Sequence, residues 1–258
     1  MEITGVSAVV TGGASGIGEG VVRVLAARGV KVVVADLNAE KGTALAAEVG
    51  GAFVECNVTK TEQLEAAVEA ADALAPLRIL VNSAGIGWAQ RTIGRDGTYE
   101  SAHSLKAFQD VIAINLIGSF DAIRVAATVM SRHEPLEGGD RGAIVNMASV
   151  AAFDGQIGQA SYSASKGGIV SMTLPIARDL AASGIRVNTV APGLIDTPIY
   201  GEGEHAEAFK ANLAQNVLFP KRLGSPDELA SMTVELITNS YMNGEVVRVD
   251  GGARLPPK

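Results

Sequence analysis

The chain has 258 residues, 47% of them hydrophobic and 19% charged, with a formal net charge of −7. A chain this long buries about three quarters of its unfolded surface, so no disulfide or metal is needed as a staple, and Cys56 alone could form neither an internal disulfide nor a CxxC metal site. The acidic balance and the lack of any Lys/Arg run exclude the basic footprint that nucleic-acid phosphates require. From the N-terminus, a strand is predicted at Ser7–Thr11, a helix at Gly18–Arg28, a strand at Lys31–Ala35 and a helix at Ala39–Glu48. A strand at Ala52–Cys56, a helix at Thr61–Leu74 and a strand at Arg78–Asn82 follow. A long helix over Leu105–Ser131 leads to a strand at Gly142–Met147, a helix at Ser161–Ala182 and a strand at Arg186–Ala191. A helix at Pro226–Thr238 and a strand at Glu245–Val249 complete the set.

Most of the strands are apolar at consecutive positions, the pattern of strands covered on both faces. Their alternation with helices predicts one α/β domain, a doubly wound parallel sheet of about seven strands with helices on both faces. Pro175 falls inside a predicted helix and is expected to kink it. Two connections, Gly87–Ser104 and Leu194–Gly224, are longer than usual and follow strand C-termini, the edge where open α/β sheets bind ligands. The second, with a short helix around Ala206–Ala214, is expected to act as a substrate lid.

The first strand runs into Thr11-Gly12-Gly13-Ala14-Ser15-Gly16-Ile17-Gly18, where a helix begins. Glycine allows the tight turn and lets backbone approach a pyrophosphate, and the helix N-terminus offers that anion free N–H groups. The second strand ends at Asp36, about 20 residues on, where a carboxylate accepts from ribose hydroxyls and repels a 2′-phosphate. Neither Leu37 nor Ser15 supplies the cation that NADP would need, so NAD is the expected cofactor. Tyr162 and Lys166, four apart on a predicted helix, share one face. A phenol titrates near ~10 in water, and a neighbouring ammonium is expected to pull that value down towards the working range of an acid–base group. Ser149, just past a strand end, is placed to hold a substrate oxygen beside the phenol.

The glycine spacing of Gly12, Gly16 and Gly18, with Tyr162-Ser163-Ala164-Ser165-Lys166 downstream, resembles the short-chain dehydrogenase/reductase family. Asn82-Ser83-Ala84-Gly85, Asn115, Ser149 and Pro192-Gly193 extend the likeness over almost the whole chain. It implies a single Rossmann-like domain over residues 1–258, with a dinucleotide-binding half to about residue 140 and a catalytic and lid part beyond. By resemblance, Tyr162 exchanges a proton with the alcohol, Lys166 also bonds the nicotinamide ribose, and Asn115 holds backbone and a water leading to Lys166. Thr197 meets the carboxamide, and Ile17, Val58 and Ile195 join the cofactor contacts. Asn57 stands where an Asp usually meets the adenine amine, and its side-chain oxygen is expected to accept that bond instead. Ser83 replaces the second Asn of the usual Asn-Asn-Ala-Gly.

From Ser149 to Gly193, and again at Phe219–Gly224 and Asn243–Val246, the chain is similar to the type II 3-hydroxyacyl-CoA dehydrogenase branch of that family. The resemblance implies an acyl-CoA substrate, with Gln156 and Gln159 flanking it, and a homotetramer paired through the long helices. Lys210, Lys221 and Arg222 are candidate partners for CoA phosphates. A 3-oxoacyl reductase, another steroid or sugar alcohol dehydrogenase, or a dinucleotide-binding protein without turnover are the competing readings. Fold does not decide among substrates, and the retained Ser149, Tyr162 and Lys166 speak against the last. His103, His133 and His205 lack metal-ligand spacing and are read as surface residues. The apolar runs are read as too short to cross a bilayer, no leader-like segment opens the sequence, and the cytoplasm is expected.

Overall fold

The computed structural model describes residues 1–201 and 203–257, apart from the side chain of residue 199. Glu202, in the predicted lid, and Lys258 lie outside the described residues. The strands are β1 (Ser7–Thr11), β2 (Lys31–Asp36), β3 (Ala52–Glu55), β4 (Leu77–Asn82), β5 (Gly142–Met147), β6 (Ile185–Pro192) and β7 (Val246–Val249), each within one residue of its predicted bounds. They form one seven-stranded sheet in the order β3-β2-β1-β4-β5-β6-β7, with every pairing parallel. Val9 on β1, for example, lies opposite Val33 on β2 and Leu80 on β4.

The helices are α1 (Gly16–Ala27), α2 (Ala39–Val49), α3 (Thr61–Leu74), α4 (Leu105–Ile112), α5 (Gly118–Met130), α6 (Ala160–Ala181), α7 (Glu204–Ala214) and α8 (Pro226–Thr238). Strand side chains alternate between two cores, which explains the unbroken apolar runs. Ala8, Val10, Val32 and Val34 pack with α1, α2 and α8 on one face, through Val22, Leu45 and Leu229 among others. Val9, Val33 and Leu80 pack on the other with Leu64 of α3, Ile123 of α5 and Ile176 of α6.

Two local expectations change. The helix predicted over Leu105–Ser131 is α4 and α5 joined by a five-residue π-helical turn, Ala113–Ile117. Such one-turn widenings occur where a side chain must be re-aimed. That stretch, Leu105–Met130, is also long and apolar enough to span a bilayer, with a mean hydropathy of 1.5. Half of it is buried against the rest of the fold, as in the core helix of a folded domain. The helix α6 continues through Pro175, packed against β6 and α4.

The two long connections are internally braced. Gln90 accepts from the Ser104 N–H at 3.0 Å, donates to the Ala102 carbonyl at 3.2 Å, and its own N–H donates to Gly158 at 2.9 Å. In the second loop, Lys210 on α7 pairs with Asp196 at 2.8 Å and Glu207 at 2.9 Å. His133 is half-buried rather than a free surface residue, because its Nε2 meets Asp72 at 2.6 Å.

At the base of β6 the buried Arg186 pairs with Asp140 at 3.0 Å and donates to the Leu236 and Met242 carbonyls at 2.8 and 3.0 Å, closing the end of α8. Ser240 donates to the second oxygen of Asp140 at 2.6 Å. Removing one member of such a pair leaves a buried charge and unpaired carbonyls, a loss of about 3–5 kcal/mol. Arg186→Met is therefore expected to cost about that much in urea denaturation, and a loss under 1 kcal/mol would show that water reaches Asp140.

Candidate active site

A cleft of about 680 Å³ runs across the C-terminal edge of the sheet, touching the loops that follow β1 to β6. In spatial order, Asn57 and Val58 follow β3, Asp36 and Leu37 end β2, and Gly12, Ser15, Gly16 and Ile17 follow β1. Ala84 and Gly85 then follow β4, Ser149 follows β5, and Pro192, Gly193, Ile195 and Thr197 end or follow β6. All of these predicted residues line the cleft, as do Tyr162 and Lys166.

The glycine loop depends on close approach. Gly12 sits at a φ of 63°, and a Cβ there would lie 2.7 Å from the Ala84 backbone. Gly18 does not line the cleft; a Cβ on it would fall 2.1 Å from the Gly12 carbonyl oxygen. Its role is to seat α1 against the loop. Ser15, at the N-cap, makes no side-chain capping bond, which leaves first-turn N–H groups for an anion. Asp36 accepts from the Ala14 N–H at 3.0 Å and from the Asn38 N–H at 2.9 Å. The carboxylate expected at the ribose is thus held by the phosphate loop itself, and Leu37 beside it is exposed.

On the β5 side, Ser149 Oγ accepts from the Ala151 N–H at 3.1 Å and neighbours the Tyr162 phenol, whose ionised form it favours. Lys166 is buried, donates to the Met147 carbonyl at 2.8 Å, and lies 5.8 Å from the centroid of the Tyr162 ring. Burial pushes the Tyr162 phenol up, and Ser149 offsets only part of that. The expected downward pull of the ammonium is not what dominates, because Lys166 is itself turned to a carbonyl and burial holds it at about 8. Asn115, in the π-helical turn, does not line the cleft but stands behind it. Its Oδ1 accepts from the Ile86 N–H at 2.8 Å, and its Nδ2 donates to the Ile86 carbonyl at 2.9 Å and to Ser165 at 3.1 Å. It ties the β4 loop to α6. A Cβ at Gly85 would lie 3.1 Å from Asn115 Oδ1 and 3.5 Å from Lys166 Nζ, so glycine leaves room for both.

Several assignments change. Gln156 and Gln159 do not reach the cleft: Gln159 accepts from the Gln156 N–H at 3.0 Å, and Gln156 donates to the Pro256 carbonyl at 3.1 Å. Asn82 is buried beneath it, donating to Asn146 at 2.9 Å and to the Ser119 carbonyl at 3.2 Å. Asn57 lines the cleft, yet its oxygen already accepts from the Thr59 N–H and hydroxyl at 3.0 and 2.8 Å rather than awaiting an adenine amine. Ser83 needs no second Asn, since the Ser83 and Ala84 N–H groups reach Thr11 Oγ1 at 3.2 and 3.3 Å. Lys210 and Arg222 are already paired with carboxylates, the latter with Glu228 at 2.8 Å, and Lys221 donates to the Gln215 carbonyl.

Residues absent from the sequence reading also line the cleft: Ile86, Asp110, Ile114 and Tyr200. Asp110 on α4 and Ile114 in the π-helical turn are four apart and so share a helix face, but nothing in that spacing alone marks the face as cleft-lining. Tyr200 had no local signal, lying in a single 3-10 helical turn, Pro198–Tyr200, within the long second connection. Among the described residues, no group of three His, Cys, Asp or Glu side chains could hold a metal ion.

Residues 12–254 match the family model for enoyl-(acyl carrier protein) reductase. The 3-hydroxyacyl-CoA dehydrogenase type-2 of Drosophila melanogaster is 47% identical over 96% of this chain and 97% of its own. That of Homo sapiens is 45% identical over 99% and 98%. A crystal structure of 3-hydroxyacyl-CoA dehydrogenase type-2 from Mycobacterium avium superposes with a TM-score of 0.93 at 47% identity, covering 100% of this chain and 99% of that one. The likeness runs from end to end, through the glycine loop and the Ser149–Tyr162–Lys166 cluster alike, and the chain belongs to the short-chain dehydrogenase/reductase family: it is an oxidoreductase that works with a nicotinamide dinucleotide.

Proposed function

We propose that this enzyme uses NAD to interconvert a 3-hydroxyacyl-CoA and its 3-oxoacyl-CoA, with Tyr162 as the acid–base group. The observation that carries the chemistry is the convergence of the Ser149 hydroxyl, the Tyr162 phenol and a buried Lys166 in the same cleft as the glycine loop and Asp36. The residues present fit the dinucleotide: uncapped N–H groups for its pyrophosphate, a carboxylate fixed at a strand end for its ribose, and the Lys166 amine near Tyr162. When bound, the nicotinamide supplies the hydride acceptor or donor.

Ser149 holds the substrate oxygen, and Tyr162 takes its proton in oxidation or returns it in reduction. The upward push on the phenol favours the proton-donating form at neutral pH. Oxidation therefore calls on the Lys166 ammonium to support the phenolate, and at about 8 Lys166 is still largely charged at neutral pH. Asn115 holds the Ile86 backbone and, through Ser165, the helix that carries both residues. The thioester reading is supported by the end-to-end similarity to proteins named 3-hydroxyacyl-CoA dehydrogenase type-2. Exposed Ile117, Phe120 and Leu174 on the long helices support a homotetramer. The acidic charge and the buried thiol Cys56 suit a cytoplasmic setting.

Tyr162→Phe keeps the ring but removes the proton-transfer group, and turnover is expected to fall at least ~10²-fold with NADH affinity little changed. Near wild-type turnover in steady-state assays would reject Tyr162. NAD is expected to be preferred over NADP, because Asp36 would face the 2′-phosphate. Asp36→Ala with Leu37→Arg should narrow or reverse the ratio of kcat/KM values, whereas equal use of both cofactors by the wild type would overturn the ribose-site reading. 3-Hydroxybutyryl-CoA should be oxidised with a much higher kcat/KM than free 3-hydroxybutyrate or a 17β-hydroxysteroid, since the CoA handle adds remote binding energy that orients the carbinol. Comparable efficiency on the free acid would remove the acyl-CoA assignment and leave the dehydrogenase.

A further inference from the structure

The segment between Ser149 and Tyr162 joins the two hydroxyls of the proposed reaction, yet none of residues 150–161 lines the cleft. Its own backbone bonds make it a relay rather than a slack loop. Phe153 and Asp154 N–H groups donate to Val150 at 2.9 and 2.8 Å, beside Ser149. At the other end, the Gln159 N–H donates to Gln156 at 3.0 Å, and the Ser163 N–H donates to Gln159 at 2.7 Å, in the first turn of α6. A Cβ at Gly155 would meet Ser163 Oγ at 2.5 Å, so the middle of the segment also packs on that turn. A displacement at Asp154 would therefore be felt at both hydroxyls.

What holds the segment comes from the far end of the chain. Arg248, on β7, donates from Nη2 to Asp154 at 2.5 Å and to the Ala253 carbonyl at 3.0 Å, and from Nε to Asp250 at 2.8 Å. Its guanidinium lies 5.4 Å from the centroid of the Phe153 ring. Arg248 and Asp154 are each about one-fifth exposed, so solvent screens the pair less than it does the surface pairs. The hydrogen bond from Arg248 holds the Asp154 carboxyl below the usual carboxylate range. Two more bonds bring the C-terminal residues onto the same segment: Gln156 Nε2 to the Pro256 carbonyl at 3.1 Å, and the Ile157 N–H to the Pro257 carbonyl at 3.0 Å. The first of these bonds turns the Gln156 amide towards the C-terminal segment.

We propose that Arg248 is a positioning residue: gripping Asp154, with residues 253–257 as a second anchor, it keeps the Ser149 and Tyr162 hydroxyls at the separation that proton transfer requires. The inference rests on the Tyr162 reading above. Proton transfer is steep in distance, and a misplacement of about 1 Å costs up to ~10²-fold in rate. Arg248 does not line the cleft, so its loss should appear in kcat and leave dinucleotide binding alone.

The test measures kcat and KM for 3-hydroxybutyryl-CoA with NAD, NADH affinity by fluorescence, and the melting temperature, for Arg248→Met, Asp154→Asn and both together. Each single change is expected to lower kcat by ~10-fold or more, with NADH affinity unchanged. The double variant should be no slower than the worse single one, because both act through one contact. Arg248→Lys, which keeps the charge but not the planar fork, should recover part of the rate. Wild-type kcat in both single variants, or a fall in kcat matched by lost NADH affinity and melting temperature, overturns the proposal. Tyr162→Phe run alongside separates the two failures: if it is inactive while Arg248→Met keeps wild-type kcat, only the positioning role falls; if it retains turnover, the acid–base reading falls and this role with it.

Discussion

Parallel strands can be joined only by crossovers that return the chain to the starting edge of the sheet, and in nearly all proteins those crossovers have one hand. In the order β3-β2-β1-β4-β5-β6-β7 the chain moves outward from β1 in one direction and then outward from β4 in the other. The loops leaving β1 and β4 must therefore part to opposite faces, and a crevice opens between them. Everything the site needs is placed by that divergence. The two loops are also pressed together at their bases, where Gly12 meets the Ala84 backbone closely enough to exclude any side chain. Thr11 Oγ1 ties them with bonds to the Ser83 and Ala84 N–H groups.

Burial on both faces of the sheet confines polar chemistry to the strand ends, since an unpaired polar group within either core would be costly. The same burial then conditions the chemistry. Lys166 is drawn down to about 8 and Tyr162 is pushed up, so desolvation, which favours the neutral form of each group, moves the two titrations apart and outweighs their mutual attraction. Asn115 can reach both the β4 loop and α6 because the helix widens there by one π-helical turn. A regular helix would advance that side chain differently and leave the Ile86 backbone without its partner.

Two arginines on the last strands close the fold from outside the crevice. Arg186 binds the end of α8 to β6 through Asp140 and backbone carbonyls. Arg248 binds the segment after β5 to β7 and to the C-terminal residues. Both are planar donors that satisfy several acceptors at once, which a lysine in the same place could not do. They join segments that the sheet's own hydrogen bonds do not connect.

The sequence by itself determined the strands, most of the helices, the glycine loop with Asp36, and the shared face of Tyr162 and Lys166. These follow from local rules: apolar runs for strands buried on both faces, a period of 3.6 for helices, and fixed offsets from a strand end. Tertiary structure decided what depends on distant partners. Gln156 is turned from the cleft by Pro256, a hundred positions away, and Lys210 is held by Asp196. Other outcomes rest on hydrogen-bond competition and desolvation that spacing does not encode: the oxygen of Asn57 is spent on its own turn, and the direction of the Tyr162 shift is set by how deeply the phenol is buried. Spacing states which residues can share a face; only the packed neighbours decide which bonds those residues have left to make.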